Sequence, residues 1–318
     1  MPESESKMKQ TITRSLGYLA RLREVFLQSK NVVLRRHGRR VTSHELPAYL
    51  ISPEFTAYRE LQRCADCSLA IYATEADKSN PAARIGAEST DWERVEWRDW
   101  QEHLPSRGRN LPGLHFGIWY GRASNTVIVA FRGTRFTKFA DWYANLRWIT
   151  RFVPGVNDYY VQAGALAGPM VAHLKDQYQA TTVIATGHSL GGGIAQHVAY
   201  CSPDIGLVHA FASTPVTGFH SVEPGTREHH SSGLLIVRSF EHGEILAYLR
   251  FLLRRLVSLS EDDPRIIELR FNCSSLLAIS EHSMKNMVTY LRQRFQEAIE
   301  AAELRSADEM EERAPTDR

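Results

Sequence analysis

Thr181-Thr182-Val183-Ile184-Ala185-Thr186-Gly187-His188-Ser189-Leu190-Gly191-Gly192-Gly193 is the stretch whose reading decides the fold. A β-branched, apolar run meets Gly-x-Ser-x-Gly, and Ile194 to Tyr200 then reads as a helix. In such a strand–turn–helix a serine is held with its Oγ exposed above the sheet, and the flanking glycines let strand and helix pass closely. The backbone N–H of Leu190 is then aimed at the oxygen of any carbonyl that Ser189 attacks. Five ordinary residues recur by chance; the strand before them and the helix after them make the motif specific. Ser189 is therefore the expected nucleophile.

Outward from this turn the chain alternates. Leu114 to Tyr120 and Thr126 to Phe131 read as strands joined by Gly121 to Asn125. Gln162 to Gln179 reads as a helix, Leu207 to Ala212 and Leu234 to Ser239 as strands, and Glu244 to Leu259 and Ser283 to Leu304 as helices. This predicts an α/β fold, a mostly parallel central sheet covered by helices on both faces. Upstream, Ile12 to Leu34 reads as one or two basic amphipathic helices ending near the Arg35 to Arg40 cluster, and Ser52-Pro53 opens a second helical region through Ala73. Asp77 to Pro112 is polar, broken by prolines and glycines, and holds Trp92, Trp97 and Trp100, which suggests a surface layer. The expected division is a basic helical arm (1–50), one α/β domain (51–304) and an acidic, disordered tail (305–318).

The 318 residues are 43% hydrophobic and 10% aromatic, enough to bury a full core. A net charge of +2 argues against a general nucleic-acid binder. Charge is uneven, however. Arg14 to Arg40 holds eight basic residues against Glu24 alone, whereas Glu297 to Arg318 holds eight acids and three bases. Four cysteines are too few for a disulfide scaffold. Cys64-x-x-Cys67 has no second pair and no nearby His-x-His, so both cysteines are expected as small buried hydrophobes rather than as a zinc or redox site. The N-terminus shows no secretory pattern, and no run of about eighteen uncharged apolar residues could span a membrane. The expected address is the cytoplasm, with signal-independent export open.

A serine nucleophile needs a base within hydrogen-bond reach, itself oriented by a carboxylate. With acid and then histidine following the serine, as in α/β-hydrolase order, His282 is the one histidine after residue 242. It sits at a helix start, in Ser280-Glu281-His282-Ser283-Met284. The bland reading is that it merely begins that helix. His229 and His230 lie in a polar loop before the Leu234 strand and break this order unless the acid comes earlier still; His242 lies among the acid candidates, and His188 lies inside the turn and faces away from the reacting side. The acid should emerge after the Leu234 strand. No aspartate occurs between Asp204 and Asp262, so a glutamate must serve. Glu244, where loop becomes helix, is favoured, with Glu241 the alternative; either could instead be a helix-start acid stabilised by the dipole. A second oxyanion donor comes from another strand end, where Val127 to Phe131 opens into Arg132-Gly133-Thr134. Thr134 offers both N–H and hydroxyl, while Arg132 is expected as a structural anchor.

Together these pieces resemble the class 3 lipases, the family that includes fungal triacylglycerol lipases. The resemblance is carried by Val127 to Thr134, Asp141-Trp142-x-x-Asn145-Leu146 and Gly187 to Gly192, and it extends over roughly Glu54 to Phe295. It implies an α/β-hydrolase fold with Thr134 and Leu190 as the oxyanion hole. It also implies a lid within Arg135 to Leu146, Trp142 being at the family's lid-tryptophan position. Phe136, Phe139, Trp142 and His188 are the candidate lid or substrate-binding side chains. The chain departs from the family in having glutamate for aspartate as the acid, and Ser213 to Gly218 after the post-nucleophile strand. It also has no secretion signal or disulfide pattern, as in a bacterial-type, signal-less member.

The implied activity is a serine carboxylester hydrolase acting on glycerolipid or phospholipid esters through an acyl-enzyme on Ser189, with no metal or cofactor. The rivals are a soluble short-chain esterase or thioesterase, and a catalytically silent hydrolase-fold interaction module. Glu244 to Leu259 carries a wide apolar face beside Arg250, Arg254 and Arg255. With the arm, it is expected either to dock on an anionic membrane surface or to pack on the core with its arginines snorkelling.

Overall fold

The computed structural model describes residues 32–36, 39–43, 56–72, 91–95, 114–133, 159–241, 266–271, 284–293, 296–297 and 300. Within it Thr126-Val-Ile-Val-Ala-Phe131 is buried at every position. A strand without an exposed face belongs inside a sheet covered on both sides. In chain order the elements are β1 (Val32–Arg36), β2 (Arg39–Ser43), α1 (Thr56–Ala70), β3 (Trp92–Val95), β4 (Phe116–Gly121) and β5 (Thr126–Phe131). There follow α2 (Tyr159–Tyr178), β6 (Thr182–His188), α3 (Leu190–Cys201), β7 (Leu207–Phe211), α4 (Pro224–His230), β8 (Leu235–Glu241) and β9 (Ile266–Phe271). Residues 284–293 form the helix α5.

The strands make one nine-stranded sheet in the order β2-β1-β9-β8-β7-β6-β5-β4-β3. The five strands β5 to β9 run parallel, and antiparallel strands flank them at both edges. Strand side chains alternate between the two faces. Val127, Val129 and Phe131 pack with Leu166 and Met170 of α2 and Ile194 and Val198 of α3. Ile128 and Ala130 pack with Leu61 and Cys64 of α1 and Met287 and Leu291 of α5. Each face therefore has its own core, and truncating a fully buried leucine such as Leu61 or Leu174 to alanine costs about 2–5 kcal/mol. Asp66 of α1 and Arg292 of α5, 2.6 Å apart, tie the two helices of one face together.

This is the expected α/β architecture, a mostly parallel sheet with helices on both faces, and most described elements lie within a few residues of their predicted places. Cys64 and Cys67 are buried in α1 among apolar neighbours, as expected, and burial pushes both thiols up in pKa. Three readings need correction. The helical reading fails for residues 32–43 of the arm, which form the β1–β2 hairpin paired to β9. A short run such as Val32-Val33-Leu34 has no decisive period, and its β-branched residues favour a strand once β9 offers an edge. Trp92–Val95, within the supposed surface layer, is the other edge strand of the sheet. His229 and His230, read as polar loop, end the short helix Pro224–His230, in which Glu223 caps the Gly225 and Thr226 amides. The rest of the arm, the 244–259 helix and the tail lie outside the described residues. Among the described residues no helix is long and apolar enough to cross a membrane.

Candidate active site

The carboxyl ends of β5, β6, β7 and β8 lie side by side, and the chemistry gathers there. Phe131 pairs with Gly187, His188 with Phe211, and Phe211 with Ser239. Ser189 follows β6 immediately and caps α3 with φ 59° and ψ −123°. That conformation is strained for any residue with a Cβ, and such strain is held only where the surroundings over-determine it. Here the Ser189 amide donates to the Phe211 carbonyl at 3.0 Å. Its carbonyl accepts from the amides of Gly192 (3.1 Å), Gly193 (3.4 Å) and Thr214 (3.2 Å). Behind the turn Gly191 passes directly against β5. A Cβ there would collide with the Phe131 carbonyl oxygen and lie 2.9 Å from the Gly133 amide nitrogen. The end of β5 therefore sits against the serine turn.

Leu190 is the first residue of α3, so its amide has no acceptor within the helix. Gly133 ends the described part of the Arg132-Gly133-Thr134 segment, and its amide donates to the Tyr72 hydroxyl at 2.9 Å. The same hydroxyl lies 3.4 Å from the His188 carbonyl oxygen and 3.3 Å from His188 Nδ1. The two rings meet edge to face, with centroids 5.9 Å apart. Burial pushes the Tyr72 phenol pKa up, so it serves as a neutral hydroxyl. His188 thus stands on Tyr72, at the α1 side of the sheet. Tyr72 was not singled out in the sequence, because nothing but the fold brings the end of α1 to Gly133.

Glu241 is the last residue of β8, in register with Phe271, and is buried. It therefore stands at the same edge of the sheet as the serine turn. Thr134, Phe136, Phe139, Trp142, Glu244 and His282 lie outside the described residues. His282 lies two residues before α5, whose first turn is anchored by buried Met284 and Met287. Two further residues beneath the site escaped the sequence reading. Buried Arg238 of β8 donates from Nε to Gln196 Oε1 at 2.8 Å, and Gln196 Nε2 donates to the Gly192 carbonyl at 3.0 Å. This links the strand of the candidate acids to the first turn of α3. Among the described residues no group of three or more His, Cys, Asp or Glu could hold a metal ion.

Residues 64–307 match the phospholipase-like family, in its Tle-like phospholipase domain. No curated protein matches the chain. Among solved structures, the native Rhizomucor miehei lipase–propeptide complex is 19% identical over 60% of this chain and 62% of its own, with TM-score 0.39. A lipase from Rhizopus microsporus var. chinensis is 17% identical over 71% of this chain and 74% of its own, with TM-score 0.42. Lip2 lipase from Yarrowia lipolytica is 16% identical over 61% and 74%, with TM-score 0.37. The chain spans about three fifths of the length of the Rhizomucor miehei lipase–propeptide complexes, 61% and 62%.

Proposed function

Because the chain belongs to the phospholipase-like family, as a Tle-like phospholipase domain, we propose that it hydrolyses acyl esters of glycerolipids or phospholipids. In this reading Ser189 Oγ attacks the acyl carbonyl while His282 takes its proton. The Leu190 amide and Thr134 hold the oxyanion of the tetrahedral intermediate. The C–O bond then breaks, and His282 returns the proton to the leaving alcohol. Water, deprotonated by His282, attacks the acyl-enzyme, and the fatty acid leaves as Ser189 regains its proton. Glu244, or Glu241 in its place, orients His282. The observation that carries the reading is the Ser189 backbone, φ 59° at the crossing of β6 and α3. A glycine would adopt that conformation without strain, and a serine there is what a nucleophile in this turn requires.

Phe136, Phe139 and Trp142 are proposed to form the lid, with His188, held against Tyr72, as a further candidate substrate-binding residue. Membrane docking is proposed through Arg250, Arg254 and Arg255. The Arg35–Arg40 part of the arm is not included. Arg36 pairs with Ile267 near the start of β9, so the tip of the β1–β2 hairpin points away from the carboxyl ends where Ser189 stands.

Fatty-acid release from phosphatidylcholine, diacylglycerol and short-chain esters tests the proposal, with Ser189→Ala as control. Release from the lipids that disappears in Ser189→Ala is expected. Release from short-chain esters alone would make the protein a soluble esterase. If no substrate shows Ser189-dependent hydrolysis, the enzymatic reading is overturned in favour of a silent module.

A further inference from the structure

The Leu190 amide and the Ser189 carbonyl are the two ends of one peptide unit. The carbonyl end accepts three N–H groups, although a carbonyl oxygen has only two lone pairs. Gly192 and Gly193 belong to α3, and their bonds are those that any helix start makes. The third donor, Thr214, comes from outside the helix, in the segment after β7. Each bond accepted at the oxygen draws electron density toward it and makes the N–H of the same unit a stronger donor.

Thr214 is itself held in place. Its Oγ1 donates to the Val216 carbonyl at 3.0 Å. The hydroxyl of Tyr160, from α2, donates to that same oxygen at 2.7 Å and lies 3.4 Å from Thr214 Oγ1. Tyr160 and Thr214 are both buried. The knot presses on the first turn of α3: a Cβ on Gly193 would meet the Tyr160 hydroxyl at 2.5 Å and Thr214 Oγ1 at 2.6 Å.

We propose that Tyr160 is a positioning residue for the oxyanion hole, fixing Thr214 so that its amide polarises the Ser189–Leu190 peptide from the carbonyl side. This rests on the esterase reading above. Losing a whole oxyanion donor costs about 10²–10³ in kcat. A cooperative strengthening of about 10–30% per bond is that fraction of the logarithm, or about 2- to 8-fold.

The test compares wild type with Tyr160→Phe on the best ester substrate, together with the backbone amide resonance of Leu190 and the melting temperature. The expected result is a folded variant whose kcat falls about 2- to 8-fold at unchanged KM, with the Leu190 proton shifted upfield. A folded variant with wild-type kcat and an unmoved Leu190 resonance would overturn the proposal, as would a loss confined to KM. If Tyr160→Phe fails to fold, Thr214→Val is judged by the same criteria, since it takes a hydroxyl from the same knot and keeps the amide. The two readings fail separately. Active wild type with an unaffected variant removes only the positioning role, whereas wild type without Ser189-dependent turnover removes the esterase reading first.

Discussion

The Tyr72 hydroxyl accepts the Gly133 amide at 2.9 Å and faces the His188 carbonyl oxygen at 3.4 Å, so one side chain bridges the end of β5 and the serine turn. Tyr72→Phe keeps the ring and removes the bridge. The Gly133 amide then loses its partner, at a stability cost of about 1–3 kcal/mol. The start of the Thr134 segment is also freed from the turn. We expect the variant to fold, to melt lower, and to lose roughly tenfold in kcat/KM, consistent with imperfect placement of one oxyanion donor. Ester hydrolysis and thermal unfolding on the same preparation check this. A variant that melts lower but retains wild-type kcat/KM would make Tyr72 a purely structural bridge.

Ser189 is held at φ 59° and ψ −123°, and under the proposed mechanism that strain serves the chemistry rather than stability. Holding a residue with a Cβ in a sparsely populated conformation costs about 1–3 kcal/mol, and glycine escapes most of it. Ser189→Gly should therefore be inactive and unfold at higher denaturant than Ser189→Ala, by about 1 kcal/mol or more. Equal midpoints for the two variants in urea would remove the strain argument.

Two glutamates are candidates for the proposed role of orienting His282. Glu241 ends β8 in a buried position, and Glu244 follows it by three residues. With Glu244 as the acid, Glu244→Gln should lower kcat by about 10³–10⁴ while leaving the melting temperature near wild type. Glu241→Gln should lower stability and retain most of the rate. The reverse pattern assigns the acid to Glu241.

How far the sequence revealed this arrangement depended on whether the signal was local. Thr181 to Gly193 spans strand, turn and helix within thirteen residues, and there the expectation and the structure coincide. The β-branched run Thr126 to Phe131 was equally legible, because a wholly apolar strand has few other places to go. The edges were not. Val32–Arg36 pairs on one side with its hairpin partner β2 and on the other with β9, more than two hundred residues away. Trp92–Val95 is four residues long and, among the described residues, pairs with β4 alone. Tyr72, Tyr160 and Thr214 are invisible for the same reason. Each contributes a hydroxyl or an amide across the sheet or between helices, and no spacing in the chain records that. The candidate triad is a middle case: Ser189 is fixed by its own motif, whereas His282 and Glu244 are reached only by order along the chain.

Asp66 gives a pH prediction with a definite sign. Its carboxylate is buried and bonded to Arg292 at 2.6 Å, yet burial outweighs the guanidinium and raises its pKa from 3.8 to about 6. Desolvation exceeding the Coulombic gain is ordinary for a buried ion pair. Because the folded value lies above the unfolded one, the protonated form is the one the fold favours. Its stabilisation is fully present below about pH 3.8 and is lost as the pH rises through about 6. The shift corresponds to about 3 kcal/mol. Asp66→Asn carries a neutral group of the same shape that can still accept from Arg292, so its stability lacks this decline. Relative to wild type, the variant should therefore gain about 2 kcal/mol between pH 4 and pH 8, with the change centred near pH 5. Urea unfolding of both proteins at pH 4, 6 and 8 reads the difference. A constant offset across that range would show that Asp66 is charged in the folded protein throughout, and that the Arg292 bond, rather than burial, governs it.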